Sequence, residues 1–189
     1  MSHESKFLHG LQSTGQDYSV LMQTPTPRQQ FLDRFKRETA TTLKLMREYP
    51  ADKLDLQPTP KSRSARDLMW LFAMEQGLAE KALTSGFDWS TPPGKPPSAP
   101  ESYDELVKAV EGSFKRTVAL VEQMPDSQTG DTVKFFTGPK TLGDIPKLDF
   151  LWFLLCDQIH HRGQFSVYLR MAGGKVPSIY GPSGDEPWF

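Results

Sequence analysis

Asp157 and His161 stand four residues apart inside Phe150 to Ala172, a stretch dense in apolar residues that reads as one buried helix. On a helix their side chains leave the same face one turn apart. A carboxylate and an imidazole so placed are half of a metal site. A catalytic zinc, nickel, manganese or iron centre takes about three protein ligands and keeps a further position open. The third ligand must then come from a facing helix. Glu75, flanked by Met74 and Gln76, is the carboxylate that an earlier helical segment offers within its apolar turns. The same residues also admit a reading without metal, as a buried Asp157–His161 pair or a core histidine satisfied by hydrogen bonds. Cys156 and His160 are likewise four apart and offer a third chemistry, an imidazole-activated thiol. A cysteine within an apolar helical run is more often packing than nucleophile. Arg162 and Arg170, two turns apart on one face, fit either an anionic substrate or acidic neighbours, and the second is commoner. No Gly-rich phosphate loop, Gly-x-Ser-x-Gly elbow or Cys-x-x-Cys pair is present.

Four helices must position these groups. The first starts at Thr26-Pro27, a capping residue followed by proline at the first helical position, and Pro50 stops it. Phe31, Phe35, Thr39, Thr42, Leu45, Met46 and Tyr49 recur along it at helical spacing. The second starts at Ser64 and ends near Gly86, apolar all round from Leu68 to Met74. A connection carrying Pro92, Pro93, Pro96, Pro97 and Pro100 excludes helix and sheet. The capping box Ser102-Tyr103-Asp104-Glu105 opens the third helix, whose stripe is Leu106, Val110, Phe114, Val118 and Val121, and Pro125 closes it. Residues 126–146 form a loop with room for a turn or strand pair. The fourth helix spans about Pro146 to Ala172, with Gly173 as a left-handed cap. Four amphipathic faces closing one core give an all-α four-helix bundle.

Composition narrows the function. The 189 residues favour one domain with a sizeable core. A formal net charge of -1 leaves no field to draw nucleic acid or an anionic membrane. Lys61, Arg63 and Arg66 cluster at the start of the second helix, where a solvated face is the commoner explanation. A single cysteine rules out an internal disulfide, and Met1 to Lys6 lacks the charged-then-apolar order of a secretory leader, so a cytoplasmic protein is expected. The longest apolar run, Phe150 to Cys156, falls far short of the roughly 20 residues of a spanning helix.

One string is specific. His160-His161-Arg162-Gly163-Gln164, then Tyr168-Leu169-Arg170, Gly173-Gly174 and Val176-Pro177-Ser178-Ile179-Tyr180-Gly181-Pro182, resembles the end of a DinB-like protein. Helix placement agrees from about Thr26 to Gly184. The resemblance, to the DinB/YfiT superfamily of metal-dependent four-helix proteins, implies an up-up-down-down bundle with a long connection between the second and third helices. It also implies frequent homodimers, and activities that include thiol-dependent transfer and isomerisation. Its usual site has three histidines, one on the second helix and two at i,i+4 on the fourth. Of these, the last maps to His161 and the one before it to Asp157. The helix-two histidine falls on Leu71, or on Trp70 one residue earlier, and neither binds a metal. Glu75, one turn beyond Leu71, is the substitute inferred here, and the family pattern does not supply it.

The expectation is an N-terminal arm over residues 1–25 and a bundle over 26–189. Glu75, Asp157 and His161 would hold a divalent ion (zinc, nickel or manganese) in a hydrolase or thiol-dependent transferase. His160 or Arg162 would be the nearby acid or anion contact for an unidentified small molecule. The competing expectation is a non-catalytic binding or scaffold bundle that has lost its ion.

Overall fold

The computed structural model describes residues 24–92 and 94–189, so the expected arm lies outside the described residues but for Thr24 and Pro25. Four helices and one hairpin follow in chain order: α1 (Pro27–Arg47), α2 (Ala65–Leu83), α3 (Tyr103–Gln123), β1 (Thr132–Gly138), β2 (Thr141–Pro146) and α4 (Lys147–Met171). The starts are where the capping residues put them. Thr26, Ser64 and Ser102 each accept a hydrogen bond from the backbone N–H three residues on. At the far end Gly173 takes φ 83, the left-handed conformation that closes α4. Among the described residues no helix is long and apolar enough to cross a membrane.

The fold is mainly helical rather than all-α. Within the 126–146 loop, β1 and β2 pair antiparallel, with Val133 opposite Ile145 and Phe135 opposite Gly143. Phe135 packs 4.8 Å from Phe150 and 5.0 Å from Phe87, ring to ring, and the Trp89 indole donates to the Lys134 carbonyl. The hairpin thus covers the first turns of α4 and ties the Pro-rich connection to them. It leads into a helix whose N-terminus has no side-chain cap; the Lys147 and Leu148 N–H groups donate instead to the carbonyls of Asp131 and Thr129.

Side-chain pairings fix the helix directions. Arg66, early in α2, donates to the Pro100 carbonyl just before α3, and Arg116 reaches Glu80 near the ends of both, so α2 and α3 run the same way. Arg47 pairs with Glu111, Lys36 with Glu122, and the Tyr103 hydroxyl donates to the Met46 carbonyl, so α1 opposes α3. Tyr168, late in α4, donates to the Arg63 carbonyl ahead of α2, so these two oppose one another. The order is up, down, down, up, which corrects the up-up-down-down expectation. The physical reason lies in the connections. Residues 48–64 fold back through a short 3-10 turn at Ala51–Lys53, and Ala65 and Arg66 donate to the Leu56 and Leu54 carbonyls. Hence α2 begins where α1 ends, while the long segment 84–102 runs back to deliver α3 parallel to α2.

The core is apolar with a polar ladder through it. Phe31, Phe35, Leu45, Met69, Phe72, Leu106, Val110, Phe150, Leu155 and Phe165 are buried. Beside them Gln76 donates to Gln158, Gln158 to the Thr42 hydroxyl, and Thr42 to the Glu38 carbonyl. Arg162 is 1% exposed and closes the ladder, with its guanidinium 2.7 Å from the Glu38 carboxylate and donating to the Tyr180 hydroxyl. Burial pushes the Glu38 carboxyl up, yet hydrogen bonds from Tyr180 and Arg162 and the Arg162 charge outweigh it and hold the group below its ordinary value. The fourth helix is not buried all round, however. Phe153, Cys156, His160, Val167 and Met171 form an exposed face.

Removing one member of a buried ion pair strands the other. Glu38→Ala is expected to destabilise by about 3–5 kcal/mol. Tyr180→Phe keeps the pair, loses one hydroxyl contact, and should cost about 1–2 kcal/mol. Urea denaturation of the two variants checks the order, and equal, small losses would deny Arg162 its structural role.

Candidate metal centre

Glu75 sits in the middle of α2 with its side chain 3% exposed, facing α4. Antiparallel packing of the two helices brings it to the His161 turn. The His161 Nδ1 lies 3.0 Å from Glu75 Oε1 and 3.6 Å from Asp157 Oδ1. One ligand-capable atom from each of the three residues lies within 4.8 Å of the other two. Glu75 forms the closed floor; Asp157, its side chain 40% exposed, stands at the mouth.

The protonation of this cluster is unusual. Burial pushes the Glu75 carboxyl up to about 7; the hydrogen bond with His161 opposes that rise, and the Asp157 charge adds to it. His161 is also raised, chiefly by its hydrogen bond to Glu75, with burial pulling the other way and the Asp157 charge assisting. Both shifts favour keeping a proton on the Glu75–His161 pair, whose Nδ1 and Oε1 are within hydrogen-bond distance. The second oxygen, Glu75 Oε2, is buried and, among the described residues, meets no donor at hydrogen-bonding geometry; the nearby Asp157 carboxyl helps to raise Glu75. An orphaned carboxylate oxygen beside an imidazole and a second carboxylate fits a divalent ion in both charge and donor type.

The other expected site residues are not brought into this cluster. His160 is exposed, its ring 5.2 Å from the His161 ring and its Nε2 2.8 Å from the Gln164 amide. Arg162 points through the core toward α1, and its burial against Glu38 and Tyr180 corrects the anion-contact role expected of it. Arg170 pairs with Asp185 at 3.0 Å, the acidic-neighbour alternative. Cys156 is exposed, which corrects its reading as a packing residue. Leu71 is partly buried against the core, and Glu75 one turn on supplies the facing ligand atom that Leu71 cannot. Sequence reasoning missed Glu38. Its signal was its place on the α1 stripe, four residues before Thr42 and three after Phe35, where an unpartnered carboxylate is not tolerated.

Fold and site together define a mainly helical protein with a carboxylate–imidazole cluster between two antiparallel helices. The chain belongs to the DinB family, whose sequence model matches residues 22–187. It is 27% identical over 158 residues to the uncharacterized protein YrdA of Bacillus subtilis, a match covering 82% of this chain and 89% of that one. A DinB-like protein of Bacillus cereus superposes with a TM-score of 0.62 at 24% identity, over 79% of this chain and 95% of the other. The DinB-like protein YjoA of Bacillus subtilis gives a TM-score of 0.62 at 19% identity, over 80% and 97%. At these identities the structural likenesses show the fold.

Linkage gives the sign of the pH dependence. Unfolded, Glu75 loses its proton near the ordinary 4.5, and folded near about 7. Its protonated form is the one the fold favours, so that contribution is lost as pH climbs through this window. His161 acts in the same direction: its contribution is complete below the ordinary 6.5 and lost once pH passes the raised folded value. With chelator present, stability is expected to fall as pH climbs from the ordinary 4.5 of Glu75 through its folded value of about 7. Glu75→Gln should flatten that fall in urea midpoints taken across the range. An unchanged slope would remove the cluster as its source.

Proposed function

We propose that this protein is a divalent-metal-dependent enzyme of the hydrolase or thiol-transferase type, with Glu75, Asp157 and His161 as its protein ligands. The observation that carries this reading is the buried, unpartnered Oε2 of Glu75 beside two further ligand atoms. A carboxylate that desolvated is costly unless something of opposite charge answers both oxygens. The Arg162–Glu38 pair shows how this same core treats a carboxylate whose role is structural, for there hydrogen bonds satisfy it fully. Two carboxylates and one imidazole are harder ligands than three imidazoles, so the set suits manganese best while still admitting zinc and nickel.

When bound, such an ion supplies Lewis acidity to a substrate oxygen, water or thiol. The chain's own groups do the rest. Glu75 and His161 hold the closed side of the site, and Asp157 is the ligand nearest solvent, where a substrate enters. His160, exposed next to the His161 ring, is placed to carry a proton at the mouth. A second reading, a scaffold bundle without an ion, draws on the 3.0 Å hydrogen bond between His161 and Glu75, which satisfies the imidazole unaided. It also has to keep Glu75 neutral, which the raised Glu75 carboxyl and its interaction with Asp157 allow below about pH 7.

Elemental analysis of untagged protein, purified without chelator, is expected to find near-stoichiometric metal in the parent and none in His161→Ala. Manganese at a hundred times its dissociation constant should stabilise the parent by about 2.7 kcal/mol and leave the variant unmoved. An empty parent whose melting temperature ignores manganese, zinc and nickel would establish the scaffold reading instead.

A further inference from the structure

A cavity of about 520 Å³ opens between the start of α2, the end of α4 and the loop before α2. That volume is in the range of small-molecule sites. Lys61 and Arg63 line it and no carboxylate does. Neither cation has an acidic partner among the described residues, whereas Arg66 beside them is held by Asp55 and the Glu101 carbonyl. The loop is not slack. Tyr168 donates to the Arg63 carbonyl, Gln57 to the Ser62 carbonyl, and the Thr59 and Ser62 hydroxyls are 2.8 Å apart. Two cations without acidic partners among the described residues are therefore presented from an anchored loop into a hollow of mixed polar and apolar lining.

Its position relative to the metal centre follows from helical period. Leu68 in the cavity wall precedes Glu75 by seven residues on α2; Gln164 and Tyr168 follow Asp157 and His161 by seven on α4. Seven residues are two turns, so each wall residue stacks on the same helix face as the ligand it pairs with, roughly 10 Å away. Cavity and cluster thus lie two turns apart along the same α2–α4 pair, with the buried Phe72 and Phe165 rings between them on the inner side.

We propose that Lys61 and Arg63 bind the anionic end of a small organic substrate, a carboxylate or phosphate, whose other end reaches along α2 and α4 to Glu75, Asp157 and His161. The cations supply the anion contact that the buried Arg162 cannot. A guanidinium takes such a group through two parallel hydrogen bonds, and an ammonium adds charge. The substrate is thus a molecule about 10 Å long with an acidic terminus. The pocket itself stands on its own residues; the reach to the cluster rests on the metal-centre reading.

Both cations are exposed, so Lys61→Gln/Arg63→Gln should leave the fold and its metal content intact, which a thermal melt and elemental analysis confirm. The probes are inorganic phosphate and the linear dicarboxylates from glutarate to azelate, titrated calorimetrically into the full chain with and without manganese. In the loaded parent, affinity is expected to rise with dicarboxylate length, and the double variant should weaken every probe about tenfold or more. Phosphate is too short to bridge cations and cluster, so the part of its binding that the double variant removes should be the same with and without metal. Equal affinity of parent and double variant would overturn the pocket. Affinity that depends on the two cations but not on length would overturn the reach to the cluster. A parent that takes up no metal yet binds phosphate through Lys61 and Arg63 would refute the metal centre and uphold the pocket.

Discussion

The guanidinium of Arg162 is among the most buried groups of the described residues, and the packing of α4 against α1 follows from finding it a partner. A charge taken out of water costs several kcal/mol unless an opposite charge and further hydrogen bonds meet it. Glu38 meets it from α1, and Tyr180 meets it from the tail. One turn earlier on α4, Gln158 is fully buried too and joins Thr42 on α1 to Gln76 on α2. Leucine in these places would slide; a ladder of directional bonds does not. Because Gln76 is locked to Gln158, its neighbour Glu75 is locked opposite His161. The position of the chemical cluster is thus inherited from the structural ladder beside it.

The two carboxylates of the interior show the difference between a group held for the fold and one held for something else. Glu38 has a guanidinium, a phenol and a nearby surface arginine, and its proton is held off. Glu75 has one imidazole and a bare oxygen, and its proton is held on up to about pH 7. Strongly perturbed groups of the second kind gather at functional sites, since an environment that disfavours the ionised side chain alone is repaid when a ligand arrives. An ion bound there would have to displace the shared proton, so its affinity would rise with pH while the empty site grows less stable.

Much of this was legible in the residues. Helix starts were announced by Thr26-Pro27, Ser64 and the Ser102–Glu105 box, because a cap is a local hydrogen bond that needs no partner from afar. The i,i+4 placement of Asp157 and His161 is equally local. Glu75 was legible as a candidate because it is a carboxylate inside apolar turns, and its distance to His161 was not, because that depends on register between helices 86 residues apart in the chain. The direction of α2 escaped for the same reason. Nothing within residues 48–64 states whether they fold back or cross the bundle until Ala65 and Arg66 find the Leu56 and Leu54 carbonyls. Arg162 misled because it sits next to His161 in sequence, and adjacent residues on a helix point about 100° apart.

That 100° also separates roles on α4. His161 and Asp157 face α2, Arg162 and Gln158 face α1, and His160 with Cys156 faces solvent. A helix that must serve two partners and a solvent-facing site cannot have a single apolar stripe, and α4 accordingly carries apolar residues all round it, from Phe150 and Phe165 inside to Phe153 and Val167 outside. The density of apolar residues that made the segment read as wholly buried comes from this division of labour. It places the polar groups in three distinct environments within eight residues: a neutralised ion pair, a half-open cluster that shares a proton, and an exposed imidazole. The middle one alone combines ligand-capable atoms, partial access to water and a carboxyl that burial holds protonated, which is why it is the candidate site.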